Sequence, residues 1–318
     1  MSLNIAVLGS GTIGQSWCAL FLAAGHQVTA YDPNPSRELE IRAFVSNSEA
    51  SLRALGYSNA GSLTDFCFTT DVVKAVEGAQ VVQESAPENL ALKTQLYRLI
   101  EPVLDRKSTV LSSTSGITLE MLQTCFFDPS RILIAHPFNP PHLIPLVEVL
   151  GNESTAPDLI QWTLSFYEGL GKVPIELKKS IPGHIANRLQ AVLWQEVLHL
   201  AKEGVASLSD IDRAIVNGPG LRWAIYGPNQ LFSLAAGADG LEGFIDHLGP
   251  SFQDWWSAAG HVELDTDTRQ FIKRNYPSVD ENERRAIQAY RDHLICRILN
   301  EKKSENRVAP GDHLNPPS

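Results

Sequence analysis

The first part of the chain alternates between short apolar runs and amphipathic stretches of helical period. The apolar runs predict strands at residues 4–8, 27–31, 66–69, 80–85, 109–113, 132–135, 146–150 and 173–177. Stretches with helical spacing lie between several of these runs, at about 12–24, 37–55 and 89–103. Because strand and helix alternate, the pattern predicts an α/β domain whose mostly parallel, doubly wound sheet is of the Rossmann type.

A proline–glycine pair, Pro182-Gly183, separates this region from a second one with a different pattern. Beyond the pair, apolar positions recur only at helical spacing, which predicts an all-α C-terminal domain. Its first helix carries one apolar stripe that we expect to be buried, formed by Ile185, Leu189, Leu193, Val197 and Leu200. Further helices are predicted at 207–217, 229–236, 241–247, 251–258, 266–274 and 281–302.

These patterns predict three segments. Residues 1–180 form a Rossmann-type nucleotide-binding domain, and residues 181–303 form a helical domain for substrate binding and dimerisation. Residues 304–318 are polar, contain Gly and several prolines, and are predicted to be a disordered tail. We expect a homodimer through the helical domain, because apolar helices of this kind are commonly buried between two copies of a chain.

Composition narrows the functional classes. The net charge of the 318 residues is −10 and the basic residues are not clustered, so nucleic acid is not an expected partner. The four cysteines lie far apart and form no CxxC pair, which argues against a metal site and against disulfides. The chain enters its first strand without a signal-like segment and has no run long enough for a membrane span. We therefore expect a cytoplasmic protein with no membrane partner.

A glycine motif follows the first predicted strand and opens the first predicted helix, Gly9-Ser10-Gly11-Thr12-Ile13-Gly14. In a strand–turn–helix context, the first glycine permits the tight turn, the second lets a pyrophosphate approach the backbone, and the third packs helix against strand. Thr12 and Ile13 begin the helix, whose free N–H groups favour an anion. Asp32 ends the next strand, where a carboxylate binds a ribose hydroxyl and repels a 2′-phosphate, so NAD is favoured over NADP.

Polar side chains also follow three other strands, at the sheet edge where ligands bind in folds of this kind. One set runs from Glu84 to Asn89, with Lys93 one turn into the helix, and a second runs from Ser112 to Gly116. The third begins at His136. Taken singly, Glu88 and Ser115 could be helix caps, but three strand ends at one crevice favour a ligand site.

His136 ends an apolar strand and is followed by a proline-rich turn, Pro137-Phe138-Asn139-Pro140-Pro141, after which a second strand contains Glu148. This turn could bring Glu148 back against His136. A carboxylate on one ring nitrogen fixes the tautomer and makes the other nitrogen a better general base. A lone His and Glu could equally be a satisfied histidine and a surface acid, so this prediction depends on the other motifs.

Read together, these motifs and the segment Gly183-His184-Ile185-Ala186-Asn187-Arg188-Leu189 resemble the 3-hydroxyacyl-CoA dehydrogenase superfamily over about residues 3–300. The resemblance implies that His136 is the general base and Glu148 its orienting partner. It implies that Ser115 and Asn187 bind the substrate oxygen and that Asn139 belongs to the same turn of the active site. The residues expected at the cofactor are Gly9, Gly11, Thr12, Ile13, Gly14, Asp32, Glu88, Lys93 and Ser113.

Several segments resemble a short-chain branch of this superfamily, which includes the L-gulonate dehydrogenase lambda-crystallin and carnitine 3-dehydrogenases. They include Pro87-Glu88-Asn89-Leu90 and Gly220-Leu221-Arg222-Trp223-Ala224. Acyl-CoA members have a lysine-rich excursion after the second strand, whereas residues 37–71 here contain no lysine. Because the phosphates of CoA require cations, we expect a small free acid instead of a thioester.

We expect Arg222 to bind the substrate carboxylate, since a guanidinium offers a planar fork that matches it. Trp223 and Tyr226 are expected in the core, although at a pocket they could form a cation–π wall for a quaternary ammonium. The expected function is NAD-dependent oxidation of a free, L-gulonate-like 3-hydroxy acid. A carnitine 3-dehydrogenase, an L-3-hydroxyacyl-CoA dehydrogenase and a non-enzymatic, NAD-binding crystallin-like protein are the alternatives.

Overall fold

The computed structural model describes residues 2–276 and 278–305. These residues divide into two compact units, one that runs to Ala186 and includes Asp292–Arg297, and one formed by Asn187–Arg291 and the chain from Ile298 onwards. The predicted tail lies outside the described residues beyond Glu305, and Ser304 still belongs to the last helix. We describe each unit by itself.

The first unit is built on one eight-stranded sheet with the strand order β3-β2-β1-β4-β5-β6-β7-β8. Its strands are β1 (Asn4–Leu8), β2 (Gln27–Tyr31), β3 (Phe66–Thr69), β4 (Val81–Glu84), β5 (Thr109–Ser112), β6 (Ile132–Pro137), β7 (Leu146–Leu150) and β8 (Val173–Glu176). Neighbouring strands are parallel except β6 and β7, which are antiparallel. The predicted α/β fold with a Rossmann-type sheet is confirmed.

Helices connect the strands and cover both faces of the sheet. They are α1 (Thr12–Ala23), α2 (Arg37–Asn47), α3 (Glu49–Ala54), α4 (Val72–Val76), α5 (Leu90–Ile100), α6 (Leu119–Gln123) and α7 (Pro157–Gly169). In β1, Ile5 and Val7 enter a core cluster with residues of α1 and α7, while Ala6 and Leu8 enter the opposite cluster with residues of α4 and α5. This alternation follows from the two-residue period of a strand, and it explains why β1 is apolar from Ile5 to Leu8.

The second unit is helical, as predicted, with no strand among its described residues. The helices from the unit boundary onwards are α8 (Ala186–Lys202), α9 (Leu208–Asn217), α10 (Pro219–Trp223), α11 (Pro228–Ala235), α12 (Gly240–Ala258), α13 (Thr266–Asn275) and α14 (Glu281–Glu305). None of the described helices is both long enough and apolar enough to cross a membrane.

One predicted break is wrong, because residues 241–258 form a single helix, α12, that contains Pro250. The sequence pattern predicts two helices, 241–247 and 251–258, with Gly249 and Pro250 between them. Proline removes one helical hydrogen bond, but it does not end this helix. The aromatic packing explains the outcome. Phe244 before the proline and Phe252 after it both pack on Phe232 of α11, with ring centroids 4.4 and 5.4 Å away. This shared contact holds both halves of α12 on one neighbour.

The predicted burial of the α8 stripe is correct only for its second half. Val197 is 6% exposed, whereas Leu189 is 68% exposed. Trp223 and Tyr226, expected in the core, are also 42% and 39% exposed. The reason is that the small core of the helical unit, around Val197 and Leu198, does not extend under the first turns of α8. A large apolar surface of this unit therefore faces outwards.

Candidate active site

The glycine motif forms the expected turn between β1 and α1. Gly9 has a φ of +93°, and a Cβ atom there would lie 2.6 Å from the carbonyl oxygen of Ser85. A Cβ on Gly14 would lie 1.8 Å from the carbonyl oxygen of Gly9, so only glycine allows α1 to pack this closely. A Cβ on Gly11, in contrast, would meet no atom within 4 Å. The space beside Gly11 is therefore free for a ligand to approach the backbone.

The start of α1 is suited to a phosphate group. Its N-cap residue is Gly11, no side chain caps its N–H groups, and its first turn contains no acid. The N–H groups around Thr12 and Ile13 are thus available, and the helix dipole favours an anion at this point. The role of both residues in cofactor binding stays a prediction.

A cavity of about 460 Å³ opens beside the glycine turn, between the ends of β1 and β4 where the strand order reverses. Its lining includes Gly9, Gly11, Asp32 and Pro87. The carboxylate of Asp32 accepts hydrogen bonds of 3.0 Å from the backbone N–H groups of Ser10 and Asn34. The cavity thus combines a phosphate-binding turn with a fixed acid at the ribose position, and these residues fit a bound NAD.

A buried charge cluster lies beneath these strand ends. Lys93, only 1% exposed, donates to Glu84 at 2.5 Å, and Glu84 also accepts hydrogen bonds from Tyr97 and Ser112. Burial, followed by the charge of Glu84, raises the pKa of Tyr97 well above its ordinary value. The ammonium of Lys93 also donates to the carbonyl oxygen of Ala86, a residue that lines the cavity, at 3.3 Å. The contact of Lys93 with the cofactor stays a prediction.

Glu88, also predicted at the cofactor, organises the loop after β5. One of its oxygens accepts hydrogen bonds from the hydroxyl of Thr114 at 2.6 Å and from the N–H groups of Ser115, Gly116 and Ile117 at 2.6–3.1 Å. Partial burial raises the pKa of Glu88, but these hydrogen bonds outweigh it, so the net effect is a lowered pKa. The side chain of Ser115 is exposed on a loop whose backbone Glu88 holds.

The hydroxyl of Ser113 is already engaged by protein groups. It accepts from Trp17 at 3.2 Å and from Gln83 at 2.9 Å, and it lies 3.0 Å from the hydroxyl of Ser85. These contacts tie the ends of β4 and β5 to α1. A side-chain contact of Ser113 with the cofactor stays a prediction.

His136 and Glu148 form the pair that the sequence suggested. They lie opposite each other on the antiparallel strands β6 and β7, with Nδ1 of His136 2.8 Å from Oε2 of Glu148. The other carboxylate oxygen accepts the backbone N–H groups of Ile185 at 2.8 Å and Ala186 at 3.1 Å. Burial raises the pKa of Glu148, but the hydrogen bonds from His136, Ala186 and Ile185 together lower it. The charged carboxylate therefore fixes the hydrogen on Nδ1 and leaves the lone pair on Nε2.

The turn between the two strands is anchored by residues that the sequence analysis did not select. The hydroxyl of Ser16 on α1 accepts the N–H of His142 at 2.8 Å and is also 2.8 Å from its ring Nδ1. The buried ammonium of Lys172 donates to the carbonyl oxygens of Pro141 and Ile144. Asn139, at the tip, is exposed.

A second histidine contacts the pair. The ring of His184 is 3% exposed, and its centroid lies 4.9 Å from that of His136. Its Nε2 atom is 3.3 Å from the carbonyl oxygen of Thr114, while its Nδ1 atom has no hydrogen-bond partner among the described residues.

The remaining predicted residues belong to the helical unit. Asn187 is half-buried and lines a cavity of about 530 Å³ together with Trp194 and Asp212. Arg222 lies on α10, its residue is exposed, and it forms no ion pair with a described residue. The roles of Asn187 and Arg222 in substrate binding stay predictions. Among the described residues, no group of three or more His, Cys, Asp or Glu side chains is arranged to hold a metal ion.

Comparison with known proteins identifies the family. Residues 4–180 match the model of the 3-hydroxyacyl-CoA dehydrogenase NAD-binding domain, and residues 183–262 match that of the 3-hydroxyacyl-CoA dehydrogenase C-terminal domain. Together these two models cover most of the chain, and they agree with the sheet and the helical unit described above.

The chain is 44% identical to an L-carnitine dehydrogenase of Streptomyces coelicolor over 264 residues, which are 83% of each chain. It is 37% identical to an L-carnitine dehydrogenase of Burkholderia mallei over 300 residues, 93% of this chain and 92% of the relative.

A solved structure of 5-formyl-3-hydroxy-2-methylpyridine 4-carboxylic acid 5-dehydrogenase, an NAD+-dependent dismutase, is similar with a TM-score of 0.82. It is 31% identical, and the match covers 94% of this chain and 99% of that one. Family models, relatives and the glycine turn agree, and the chain is an NAD-dependent oxidoreductase that belongs to the 3-hydroxyacyl-CoA dehydrogenase family.

Proposed function

We propose that this enzyme oxidises a small free 3-hydroxy acid to the 3-oxo acid, and that L-carnitine is its first candidate substrate. The observation that carries the proposal is the buried His136–Glu148 pair, with His136 near the carboxyl end of β6, at the sheet edge where the glycine turn follows the parallel strand β1. A base at this point can remove the proton of a secondary alcohol while the carbon atom loses its hydride.

In the proposed mechanism, His136 accepts the hydroxyl proton of the substrate on Nε2. Glu148 keeps the hydrogen of His136 on Nδ1 and stabilises the imidazolium that forms, because its carboxylate is charged and held at 2.8 Å. A bound NAD would supply the acceptor for the hydride that C3 loses. The hydroxyl of Ser115 and the amide of Asn187 are proposed to hold the substrate oxygen, and Asn139 to contact the substrate from the turn.

The surface after β2 favours a free acid over a CoA thioester. Its three arginines are each paired with a glutamate of the same helix: Arg37 with Glu40, Arg42 with Glu38 at 2.7 Å, and Arg53 with Glu49 at 2.7 Å. A CoA nucleotide would have to compete with these carboxylates for cations. The solved relative with the TM-score of 0.82 is also named as the dehydrogenase of a free carboxylic acid.

Among free acids, the relatives favour carnitine over the L-gulonate-like acid that the sequence suggested, since those reported above are named L-carnitine dehydrogenases. The exposure of Trp223 and Tyr226 beside Arg222 supports the same choice. In the proposed arrangement, Arg222 binds the carboxylate, and the two aromatic rings are available for a cation–π contact with the trimethylammonium group.

The test is NADH formation with purified enzyme, NAD and matched substrates. The panel contains L-carnitine, 3-hydroxy-5,5-dimethylhexanoate, L-gulonate and 3-hydroxybutyryl-CoA. The second compound is carnitine with carbon in place of nitrogen, so it has the same shape without the positive charge. We expect kcat/KM for L-carnitine to exceed that for the carbon analogue by about 3- to 30-fold, the range of a cation–π contact.

Turnover of the thioester alone would refute the free-acid proposal. Turnover of L-gulonate but not of L-carnitine would support the L-gulonate-like substrate that the sequence suggested. Equal rates with carnitine and its carbon analogue would leave the oxidation of free acids in place and remove the proposed role of the aromatic rings.

We further propose that two copies of the chain associate through the helical unit. Leu189, Val192 and Trp194 on α8 are 68%, 66% and 45% exposed, and the helical unit exposes further large apolar residues, including Trp255 and Trp256. A surface with several large exposed apolar side chains usually marks a protein–protein interface. Light scattering across a dilution series should give the mass of a dimer, and Leu189→Glu should shift it towards the monomer, whereas Leu39→Glu on α2 should not.

A further inference from the structure

A chain of hydrogen bonds between side chains runs through the first unit and ends at the cofactor cavity. It starts at Tyr167 on α7, whose hydroxyl lies 2.6 Å from Oε1 of Gln83 on β4. It continues from Nε2 of Gln83 to the hydroxyl of Ser113 at 2.9 Å, and from there to the hydroxyl of Ser85 at 3.0 Å. Ser85, the residue after β4, is half-buried and lines the cavity beside the glycine turn. The chemistry of each partner sets the direction of its bond.

The side-chain amide of Gln83 has a defined orientation. Its Nε2 atom lies 3.2 Å from the carbonyl oxygen of Leu111, which can only accept a hydrogen bond. The amide nitrogen therefore faces Leu111 and Ser113 and donates to both. Oε1 faces Tyr167, which is fully buried, and burial raises the pKa of Tyr167 well above its ordinary value. Its hydroxyl thus keeps its hydrogen and donates it to Gln83.

The hydroxyl of Ser113 receives two hydrogen bonds and gives one. The indole nitrogen of Trp17 on α1, which can only donate, lies 3.2 Å from it, and Nε2 of Gln83 lies 2.9 Å from it. Both lone pairs of the Ser113 oxygen are thus used. Its own hydrogen has one remaining acceptor among the described residues, the hydroxyl oxygen of Ser85 at 3.0 Å. Ser113 is therefore the donor in this contact and Ser85 the acceptor.

Ser85 consequently keeps a hydrogen that the protein does not use. Within the described part of the chain, its hydroxyl has no hydrogen-bond partner besides Ser113. Its backbone is also fixed, because its N–H donates to the carbonyl oxygen of Leu8 at 2.7 Å. Since Ser85 is only half-buried and lines the cavity, a ligand can reach this hydrogen. The network thus presents a preorganised donor, which lowers the entropic cost of binding an acceptor.

The position of Ser85 selects one half of the cofactor. At this edge of the sheet the neighbouring strands follow in the order β2, β1 and β4. Asp32 after β2 occupies the position expected for the adenosine ribose, and the glycine turn after β1 that for the diphosphate. Because a dinucleotide lies across this crevice, its other half extends towards β4, which Ser85 follows. The ribose hydroxyls and the carboxamide of that half contain the acceptor oxygens that a hydroxyl donor requires.

We propose that Ser85 is a cofactor-binding residue whose hydroxyl donates a hydrogen bond to an oxygen atom of the nicotinamide riboside half of NAD. Trp17 and Gln83 contribute indirectly, because they fill the lone pairs of Ser113 and so turn its hydrogen towards Ser85. The inference concerns the cofactor alone, and it does not depend on which acid the enzyme oxidises.

The test compares two ligands that differ in the half concerned. NADH contains both halves of the cofactor, whereas ADP contains the adenosine half and the diphosphate only. Isothermal titration calorimetry gives both affinities for the wild type and for Ser85→Ala. We expect Ser85→Ala to weaken NADH binding by about 2- to 12-fold, the effect of losing one neutral hydrogen bond, and to leave the affinity for ADP unchanged.

Ser108→Ala is the matched control. Ser108 lies directly before β5, at the opposite edge of the sheet, and its buried hydroxyl donates to the carbonyl oxygen of Ala79 at 2.6 Å. Like Ser85→Ala, this variant removes a serine hydroxyl that is hydrogen-bonded within the first unit. Its melting temperature should fall, but its affinities for NADH and for ADP should both equal those of the wild type.

Unchanged NADH affinity in Ser85→Ala would overturn the proposal, and so would equal losses for NADH and ADP. If Ser85→Ala does not fold, Ser85→Cys takes its place, since a thiol can accept from Ser113 but donates only weakly. Ser85→Cys must then show the same selective loss for NADH. Because neither titration contains a substrate, failure to find a substrate would count against the proposed function and not against this inference.

Discussion

The Nδ1 atom of His136 lies 2.8 Å from Oε2 of Glu148, and the two residues are direct cross-strand partners on β6 and β7. The register of the two strands therefore determines the distance between them. In a sheet, successive side chains point to opposite faces, so a slip of one residue in this pairing would separate the two groups completely. Both are almost fully buried, which makes the contact strong and insensitive to salt.

Replacing His136 by alanine should reduce kcat by about 10²- to 10⁴-fold, the usual contribution of a positioned base. The affinity for NADH should remain nearly unchanged, because His136 is not among the residues that line the cofactor cavity. Steady-state rates and NADH fluorescence titration measure the two quantities. His247→Ala, at an exposed histidine of α12, is the control. A loss of cofactor binding in His136→Ala would contradict the assigned role.

Replacing Gly11 by alanine should weaken NADH binding, whereas replacing Gly14 by alanine should lower the stability of the fold. A Cβ at Gly11 meets no protein atom within 4 Å, so Gly11→Ala should fold normally and bind NADH at least about tenfold more weakly, because the methyl group occupies the approach of the pyrophosphate. A Cβ at Gly14 would lie 1.8 Å from the carbonyl oxygen of Gly9, so Gly14→Ala should lower the melting temperature. Normal NADH affinity in a folded Gly11→Ala variant would refute the predicted pyrophosphate position.

Asp32→Asn should weaken the preference for NAD over NADP. The substitution removes the charge that repels a 2′-phosphate but retains an oxygen for the N–H of Ser10. We expect the ratio of kcat/KM for NAD to that for NADP to fall by about tenfold or more, as one unit of charge repulsion is removed. The ratio is measured with a single substrate at low salt. An unchanged ratio would mean that another residue selects the cofactor.

Arg222→Ala should raise the KM for L-carnitine by about 10- to 100-fold, the effect of losing a hydrogen-bonded charge partner. The KM for L-carnitinamide, which has no carboxylate, should change little. Arg222→Lys keeps the charge but not the planar fork and should give an intermediate KM for carnitine. Equal effects of Arg222→Ala on the acid and on the amide would exclude the proposed carboxylate contact.

The free energy of unfolding should increase with pH above neutrality because of the buried Lys172. Burial lowers the pKa of Lys172 from its ordinary value of 10.5 to about 7. Between these pH values the unfolded chain binds more protons than the folded one, so the free energy of unfolding rises with pH across this window and is level below it. Urea unfolding at several pH values measures the slope. In Lys172→Met, the free energy of unfolding should depend less on pH in this window. An unchanged slope in that variant would mean that another titratable group causes the pH dependence.

Local patterns were sufficient to predict the fold and the glycine turn. The roles of Gly9, Gly11 and Gly14 follow from one strand–turn–helix unit, and β6, its turn and β7 are consecutive in the sequence. The His136–Glu148 contact could therefore be predicted from neighbours along the chain. The break expected at Pro250 was wrong because the aromatic contacts to Phe232 come from another helix and cannot be recognised in the local pattern.

Buried polar contacts between distant parts of the chain were not predictable. Glu84 and Lys93 are a short distance apart in sequence, but nothing in their pattern shows that both charges are buried. Lys172, the residue before β8, donates to the carbonyl oxygen of Pro141 in the turn after β6. His184 contacts the carbonyl oxygen of Thr114, which lies 70 residues earlier in the sequence. One sequence feature could have identified His184. It directly follows Gly183 and precedes Asn187, a predicted site residue, so its ring could be expected near the site.

The anchoring of the turn after His136 has a consequence for how enzymes of this kind can change their substrate. Its fixed points are His142, bound to Ser16, and the carbonyl groups held by Lys172, whereas Asn139 at the tip is exposed. Mutations at the tip can therefore change the exposed surface of the turn without moving His136 or Glu148. With the proposed base role of His136, substrate specificity can change under selection while the residues proposed for proton transfer stay in place.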